Sequence, residues 1–210
     1  NATSVTTTHT YDRRGLQLTQ TEAYGTAIAS TTSQAYDAFG RVISAVDGRG
    51  VATTVGYDRL GRQISTSRAA YTGISGSART ETTATTYDAH GRVLTQTNGV
   101  GQTTSYAYDD TARSLAVTTP DGLVMSTERN RHGDTVRIVD PAGNAATYLY
   151  DLAGRQIRIT DALGNYTTTE YDARGLRVAT VTGNGTGART ESADGAAGRC
   201  IGATDLGLSA

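Results

Sequence analysis

The dipeptide Tyr-Asp recurs along this chain on a nearly fixed grid. It stands at Tyr11-Asp12, Tyr36-Asp37, Tyr57-Asp58, Tyr87-Asp88, Tyr108-Asp109, Tyr150-Asp151 and Tyr171-Asp172, and a degenerate copy, Arg129-Asn130, falls on the same grid. The intervals are 25, 21, 30, 21, 21, 21 and 21 residues. A glycine or other small residue follows three positions after the acid, at Gly15, Gly40, Gly61, Gly91, Ala112, Gly133, Gly154 and Gly175. Arginine often comes next, at Arg41, Arg62, Arg92, Arg113 and Arg155. A unit of this length cannot bury a core alone, so successive units must stack on one another.

Each unit carries a second landmark about ten residues on. Examples are Asp47-Gly-Arg-Gly50, Asn98-Gly-Val-Gly101, Pro120-Asp121-Gly122, Asp140-Pro-Ala-Gly143-Asn144 and Asp161-Ala-Leu-Gly164-Asn165. One unit therefore holds two turns and two runs of about six residues. Arg155-Gln-Ile157-Arg-Ile159-Thr alternates with period two, as a half-buried strand does. The returning runs, such as Ala146–Tyr150 and Tyr166–Tyr171, are rich in Thr and Tyr, residues that favour strands. No segment shows capped helical spacing. The chain reads as all-β, two short antiparallel strands per repeat, in one repeat region spanning residues 1–210 with about eight to nine units.

Composition supports a surface-building β architecture rather than a thick core. Leu, Ile, Val and Phe total 34 of 210 residues, while Thr numbers 38 and Gly 25. So little aliphatic material suits disorder only when net charge is high, and here it is −1. Nineteen cations, all Arg, against 20 acids argue against a nucleic-acid binder or a membrane-surface binder working by bulk charge. There is no apolar run long enough to span a membrane as a helix and no visible signal peptide. The single cysteine, Cys200, excludes an internal disulfide framework.

The motif has a mechanical reading. An Asp side chain can accept hydrogen bonds from backbone N–H groups two residues on. The Gly supplies a positive φ that other residues resist. The Tyr ends a strand, with a ring able to pack on the neighbouring copy and a hydroxyl in search of a partner. Arg at one slot per repeat fits pairing with Asp or stacking on Tyr. The scaffold residues are thus Tyr36, Asp37, Gly40, Tyr57, Asp58, Gly61, Tyr87, Asp88, Gly91, Tyr108, Asp109, Tyr150, Asp151, Gly154, Tyr171, Asp172 and Gly175. The two long intervals carry insertions at 22–26 and 68–77, at turn positions where insertions are tolerated. Tyr24 and Tyr71 lie in them, off the grid, as candidate contact loops.

Chemistry is thinly represented. His90 and His132 occupy a variable turn slot, and nothing converges with them or with His9 as metal ligands would. The Asp residues are spread one or two per turn, too sparse for calcium repeats. Cys200 has no positioned base, and no Ser lies in a nucleophile elbow. Glu22, Glu81, Glu128, Glu170 and Glu191 are too dispersed for a glycosidase-type acid pair. The expectation is therefore no catalytic residue, no metal and no cofactor.

Tyr-Asp-x-x-Gly-Arg at 21-residue spacing, with a mid-repeat Asp-x-x-Gly-Asn turn, resembles the RHS/YD-repeat family over roughly residues 5–200. The resemblance implies a long β-sheet strip that spirals into a hollow shell. Bacterial members of that family enclose a C-terminal toxin domain in the shell, and animal teneurins use a similar shell in adhesion. It implies as partners the rest of the same shell, an enclosed C-terminal toxin and a secretion machinery. It also implies a secreted or bacterially delivered location. Eight copies are fewer than a complete shell needs, so the chain reads as a fragment of one. Asp140-Pro141-Ala-Gly143 is superficially like the family's cleavage junction, but it lies on the repeat grid and reads as a turn. The rival reading is an extracellular adhesion or carbohydrate-binding array. In either case an open strip has two unpaired edges, which invite self-association.

Overall fold

In the computed structural model the described residues are 5–72, 78–184, 189–194 and 200–205. They form strands and turns, with no helix among them. Contacts divide the chain into two compact units, Asn1–Ser105 and Tyr106–Ala210. The first holds β1 (Thr8–Tyr11), β2 (Gln17–Glu22), β3 (Ser30–Tyr36), β4 (Val42–Val46), β5 (Ala52–Tyr57), β6 (Gln63–Thr72), β7 (Ala78–Tyr87) and β8 (Val93–Thr97). The division falls inside β9 (Thr103–Asp109). The second unit holds β10 (Ser114–Thr118), β11 (Val124–Arg129), β12 (Thr135–Val139), β13 (Ala145–Tyr150), β14 (Gln156–Thr160), β15 (Tyr166–Tyr171), β16 (Arg177–Gly183), β17 (Arg189–Asp194) and β18 (Cys200–Asp205). Within each unit every strand pairs antiparallel with its sequence neighbours. Among the described residues β1 is paired on one side only, by β2, and β18 on one side only, by β17.

Within each unit the described strands form one sheet without a second layer to make a core. Among the described residues the one buried hydrophobic residue is Ala23, and none of the larger ones is fully buried. Stability must then come from what each strand and turn does with the next.

The two turns of a repeat share one backbone device. In the Asp37 turn the Gly40 N–H donates to the Asp37 carbonyl at 3.1 Å, and the Asp37 N–H donates to the Arg41 carbonyl at 2.9 Å. The mid-repeat turn at Asp47 repeats the pattern, with Gly50 to Asp47 at 2.9 Å and Asp47 to Val51 at 3.0 Å. The closing glycine is left-handed in both, with φ of 82° at Gly40 and 81° at Gly50. This is a type I turn closed by a left-handed residue, a common three-residue hairpin loop. Asp140-Pro141-Ala-Gly143 is one of these turns, with Gly143 donating to Asp140 at 3.0 Å. At 119–122 the leading residue is Thr119, and its Oγ1 accepts from the Leu123 N–H.

What separates the two turns is a bulge. At the Tyr-Asp turn Tyr36 faces Val42, but the next pair is Ala35 with Ser44, so Ile43 is left over. At the mid-repeat turn Val46, Ala45 and Ser44 face Ala52, Thr53 and Thr54 without a slip. The bulge recurs beside Tyr11, Tyr57, Tyr87, Arg129, Tyr150 and Tyr171. The left-over residues are Leu18, Ile43, Ile64, Leu94, Val136, Ile157 and Val178, all aliphatic.

The bulge has a consequence for parity. Side chains alternate between faces along a strand, and 21 is odd. Without a slip, successive Tyr would point to opposite faces. Two residues against one in a repeat absorb the odd residue, and the register returns Tyr11, Tyr36, Tyr57 and Tyr87 to one face of the first unit, and Tyr150 and Tyr171 to one face of the second.

Two sequence expectations differ from the structure. Residues 68–72 are not loop: β6 and β7 extend to ten residues each, with Tyr71 opposite Arg79 and Thr72 opposite Ala78. Neither run contains Gly or Pro, so the hairpin lengthens; residues 73–77 lie outside the described residues. At 109–113 the left-handed residue is Arg113, with φ of 51°, not the small residue Ala112. With Ala in the glycine slot the turn runs one residue longer, and Asp109 Oδ1 takes the N–H groups of Thr111 and Ala112, both at 2.9 Å.

Candidate functional site

The motif residues assemble a clamp between consecutive repeats. It begins inside the turn. Asp37 Oδ1 accepts the N–H groups of Phe39 and Arg41, both at 2.9 Å. Its Oδ2 accepts the Arg41 Nε–H at 2.6 Å. The same set holds Arg62 on Asp58, Arg92 on Asp88 and Arg155 on Asp151, each Nε at 2.7 Å. The carboxylate thus fixes its own turn and orients the guanidinium that follows it.

The guanidinium then reaches forward to the next repeat. Arg41 lies 4.5 Å from the centroid of the Tyr57 ring, Arg62 4.4 Å from Tyr87 and Arg155 4.7 Å from Tyr171. Stacking of this kind suits the flat, weakly hydrated Arg head. Each Tyr hydroxyl reaches back. Tyr36 donates to the Gln17 carbonyl at 2.8 Å, Tyr57 to Val42 at 3.0 Å and Tyr87 to Gln63 at 3.1 Å. Tyr150 donates to Thr135 at 2.9 Å and Tyr171 to Gln156 at 3.2 Å. In four cases the acceptor is the residue that faces the preceding Tyr, and Thr135 faces Arg129, which stands in that place; each acceptor comes just before the left-over aliphatic residue. The bulge turns a carbonyl toward the next repeat, and the hydroxyl satisfies it.

The mid-repeat turns at Asp140 and Asp161 are held differently. Asn144 and Asn165 donate Nδ2–H to Asp140 and Asp161 at 2.8 and 2.7 Å. That closes the turn on itself, because an amide side chain is too short to meet the neighbouring repeat.

These contacts lower the carboxyl pKa values of both turn types. The backbone N–H of Arg155, opposed by partial desolvation and aided by the Arg155 side chain, holds Asp151 below its ordinary value of 3.8. Asp140 is lowered first by the Asn144 side chain and then by its backbone N–H. Asp37, Asp58 and Asp88 are desolvated, yet hydrogen bonds from Arg41, Arg62 and Arg92 bring them below 3.8 as well. Asp172 is lowered by the Leu176 N–H and other turn donors.

The other candidates have these places. Tyr108 ends β9 beside Asp109 and its lengthened turn. Tyr24 sits at the β2–β3 turn, 62% exposed, next to Ala23 with φ of 52°. The backbone of Tyr71 lies in β6, and Cys200 begins β18. His9 contacts Gln17, His90 stands 3.9 Å from Asp88, and His132 Nε2 accepts from Arg131. No group of three or more His, Cys, Asp or Glu among the described residues is arranged to hold a metal.

The faces of the two units differ. In the first, the register places Gln20, Gln34, Thr66, Thr85 and Gln96 on the Tyr face, and paired hydroxyls on the other. Thr10–Thr19, Thr86–Thr95 and Thr97–Thr103 join there at 2.6, 2.6 and 2.8 Å. In the second, the Tyr face carries Leu115, Val117, Met125, Ile138 and Ile159. Its opposite face carries the Glu128–Arg137 ion pair at 2.9 Å and Arg158 stacked 4.2 Å from the Tyr166 ring.

Comparison with known proteins places this geometry. A comparison with curated sequences gives no match. Among solved structures, the complex of TcdB2, TccC3 and Cdc42 matches with a TM-score of 0.51 and 18% identity over 87% of this chain. The complex of TcdB2 and TccC3 matches with a TM-score of 0.51 and 18% identity over 88%. The Photorhabdus luminescens Tc holotoxin pore carrying TccC3-D651A matches with a TM-score of 0.50 and 17% identity over 85%. This chain spans only 12%, 12% and 11% of those chains. A family model, the Teneurin YD-shell, matches residues 8–201. With that match over nearly its whole length, and with Tyr-Asp clamps joining successive repeats of an all-β chain, the protein belongs to the Teneurin YD-shell family.

Proposed function

We propose that this chain is a wall segment of a hollow protein shell that encloses a C-terminal toxin and takes part in its delivery. The observation that carries the reading is a sheet with no core of its own, tied repeat to repeat by the Tyr-Asp clamps. Strands that within each unit are joined to their sequence neighbours make a wall. The bulge at one end of each repeat adds local twist and bend, which a wall needs in order to curve. Family membership and the fold shared with toxin-complex structures support the same role. The mechanism is physical: the wall keeps an inactive cargo apart from its surroundings until release. No residue of the segment acts as a catalyst in this reading. The remaining shell, the cargo and a secretion apparatus are its partners, and its setting is bacterial and extracellular.

Mass spectrometry of the source polypeptide, native and then denatured, tests this. A larger chain that sheds a C-terminal fragment only on denaturation supports enclosure. A chain with no such associated fragment overturns it. Exposed Tyr24, outside the clamp ladder, favours a second reading as an extracellular binding array. Glycan-array binding lost in Tyr24→Ala is the result that reading requires.

A further inference from the structure

One clamp in the second unit is missing its arginine. In the turn Asn130–Asp134 the slot after the glycine holds Asp134, whose Oδ2 accepts from Asn130 Nδ2 at 3.0 Å. The rest of the clamp stands. Tyr150 follows in register and keeps its hydroxyl on the Thr135 carbonyl. Elsewhere the Arg head also covers the next turn glycine: its Nη1 lies 3.2, 3.5 and 3.3 Å from where a Cβ on Gly61, Gly91 or Gly175 would stand. Leu16 Cδ1 does the same at Gly40, at 3.5 Å. At Gly154 nothing lies within 4 Å of that point. The surface there is a depression of about 690 Å³ that includes Asp134, Tyr148, Tyr150 and Gly154, with Arg113 and Arg131 also along it.

We propose that this depression binds an arginine side chain presented by another polypeptide segment. The incoming guanidinium takes the place that Arg41, Arg62 and Arg155 fill from within their own repeats, against the ring of Tyr150, over Gly154 and beside Asp134. The platform is one this chain uses repeatedly to hold arginine, and here it carries a carboxylate in place of the cation. Arg113 and Arg131 offset the acidic charge, so a compact ammonium or metal cation held by charge alone gains little. The flat ring face and the planar fork of a guanidinium decide the selectivity. The inference does not depend on the enclosure reading, since it concerns one surface of one unit.

The test is NMR of the full chain with labelled tyrosine rings, the Tyr150 signal being identified by Tyr150→Phe. The probe is arginine capped at both ends, with equally capped lysine as its rival. The expected result is a saturable shift of the Tyr150 ring signal by the arginine probe, at least about tenfold weaker with lysine. Asp134→Arg, which restores the internal clamp, and Asp134→Leu, which imitates Leu16, should each abolish the shift; Asp134→Arg should also raise Tm. No saturable shift, an equal response to lysine, or a response that survives in both folded Asp134 variants would overturn the proposal. The wild-type comparison of the two probes stands even if a variant does not fold.

Discussion

The two ends of a repeat use the same turn and are held in different ways. At the mid-repeat end, Asp161 gathers the N–H groups of Leu163 and Asn165, and the Asn165 side chain closes back on it. At the Tyr-Asp end, Asp151 gathers Ala153 and Arg155 in the same fashion, but the Arg155 head goes on to Tyr171. One end is satisfied within five residues; the other is complete only when a second repeat is in place. In a sheet with almost nothing buried, cohesion between repeats therefore concentrates along one margin. The bulges, confined to that margin in the regular repeats, show the same division.

Removing the ring should break the comparison most sharply. Tyr57→Ala takes away a half-buried ring, its hydroxyl bond to Val42 and the surface on which Arg41 stacks. The expected loss is about 2–4 kcal/mol, at the lower side of large-to-small changes because the ring is only half-buried. Chemical denaturation measures it, and a loss under about 0.5 kcal/mol would refute the clamp. A smaller step is Gly40→Ala. Its added Cβ meets Leu16 Cδ1 at an ordinary 3.5 Å, so the cost comes from the left-handed backbone alone, about 1–2 kcal/mol. Because Gly50 has a similar φ and open space, Gly50→Ala should cost the same; a large gap between the two would mean the ends differ in backbone as well.

Finer still is the hydroxyl. Tyr171→Phe keeps the stack and loses the bond to Gln156, for about 1 kcal/mol. Arg155→Lys keeps the charge and loses the flat stack, for about 0.5–1 kcal/mol. Asn165→Ala at the other end should fall below both, and thermal melts of the three variants side by side rank them.

Acid should discriminate least, because carboxyls at both ends are lowered. A depressed folded pKa means the unfolded chain binds protons first as pH falls. The stabilisation is therefore whole above the ordinary value of 3.8 and lost as pH drops below it toward the folded values. Urea midpoints should hold steady near neutrality and decline from about pH 4 downward. Asp151→Asn should flatten part of that decline; an unchanged acid profile in that variant would deny Asp151 its share.

Much of this was legible from spacing. The strands around Ile157 and Ile159, the Asx-type turns and the positive-φ glycines follow from residue chemistry acting over five positions or fewer. The turn at Arg113 and the extended β6–β7 hairpin were not legible. In the first, the choice between Ala112 and Arg113 for the left-handed residue is settled by pairing with β11, where the Arg129 N–H meets the Arg113 carbonyl. In the second, residues rich in Gly and Ser beyond position 72 drew the reading toward a loop, whereas pairing carries both strands farther. Ile157, two places after Arg155, fits plain strand alternation in the sequence. Only the register shows it to be the left-over member of a bulge, as Ile43 is in its own repeat.

The sequence by itself determined the period, the strand-and-turn alternation and the family, because each is written in short-range patterns repeated many times. The tertiary structure decided which partners those residues take. Whether an Arg serves its own turn or the next, which carbonyl a Tyr finds 15, 19 or 24 residues back, and how an odd period keeps one face all depend on strand register. So does the meaning of Asp134, which is an ordinary turn residue in sequence and, in space, a carboxylate where a guanidinium would lie. Register is a property of paired strands, and no single strand contains it.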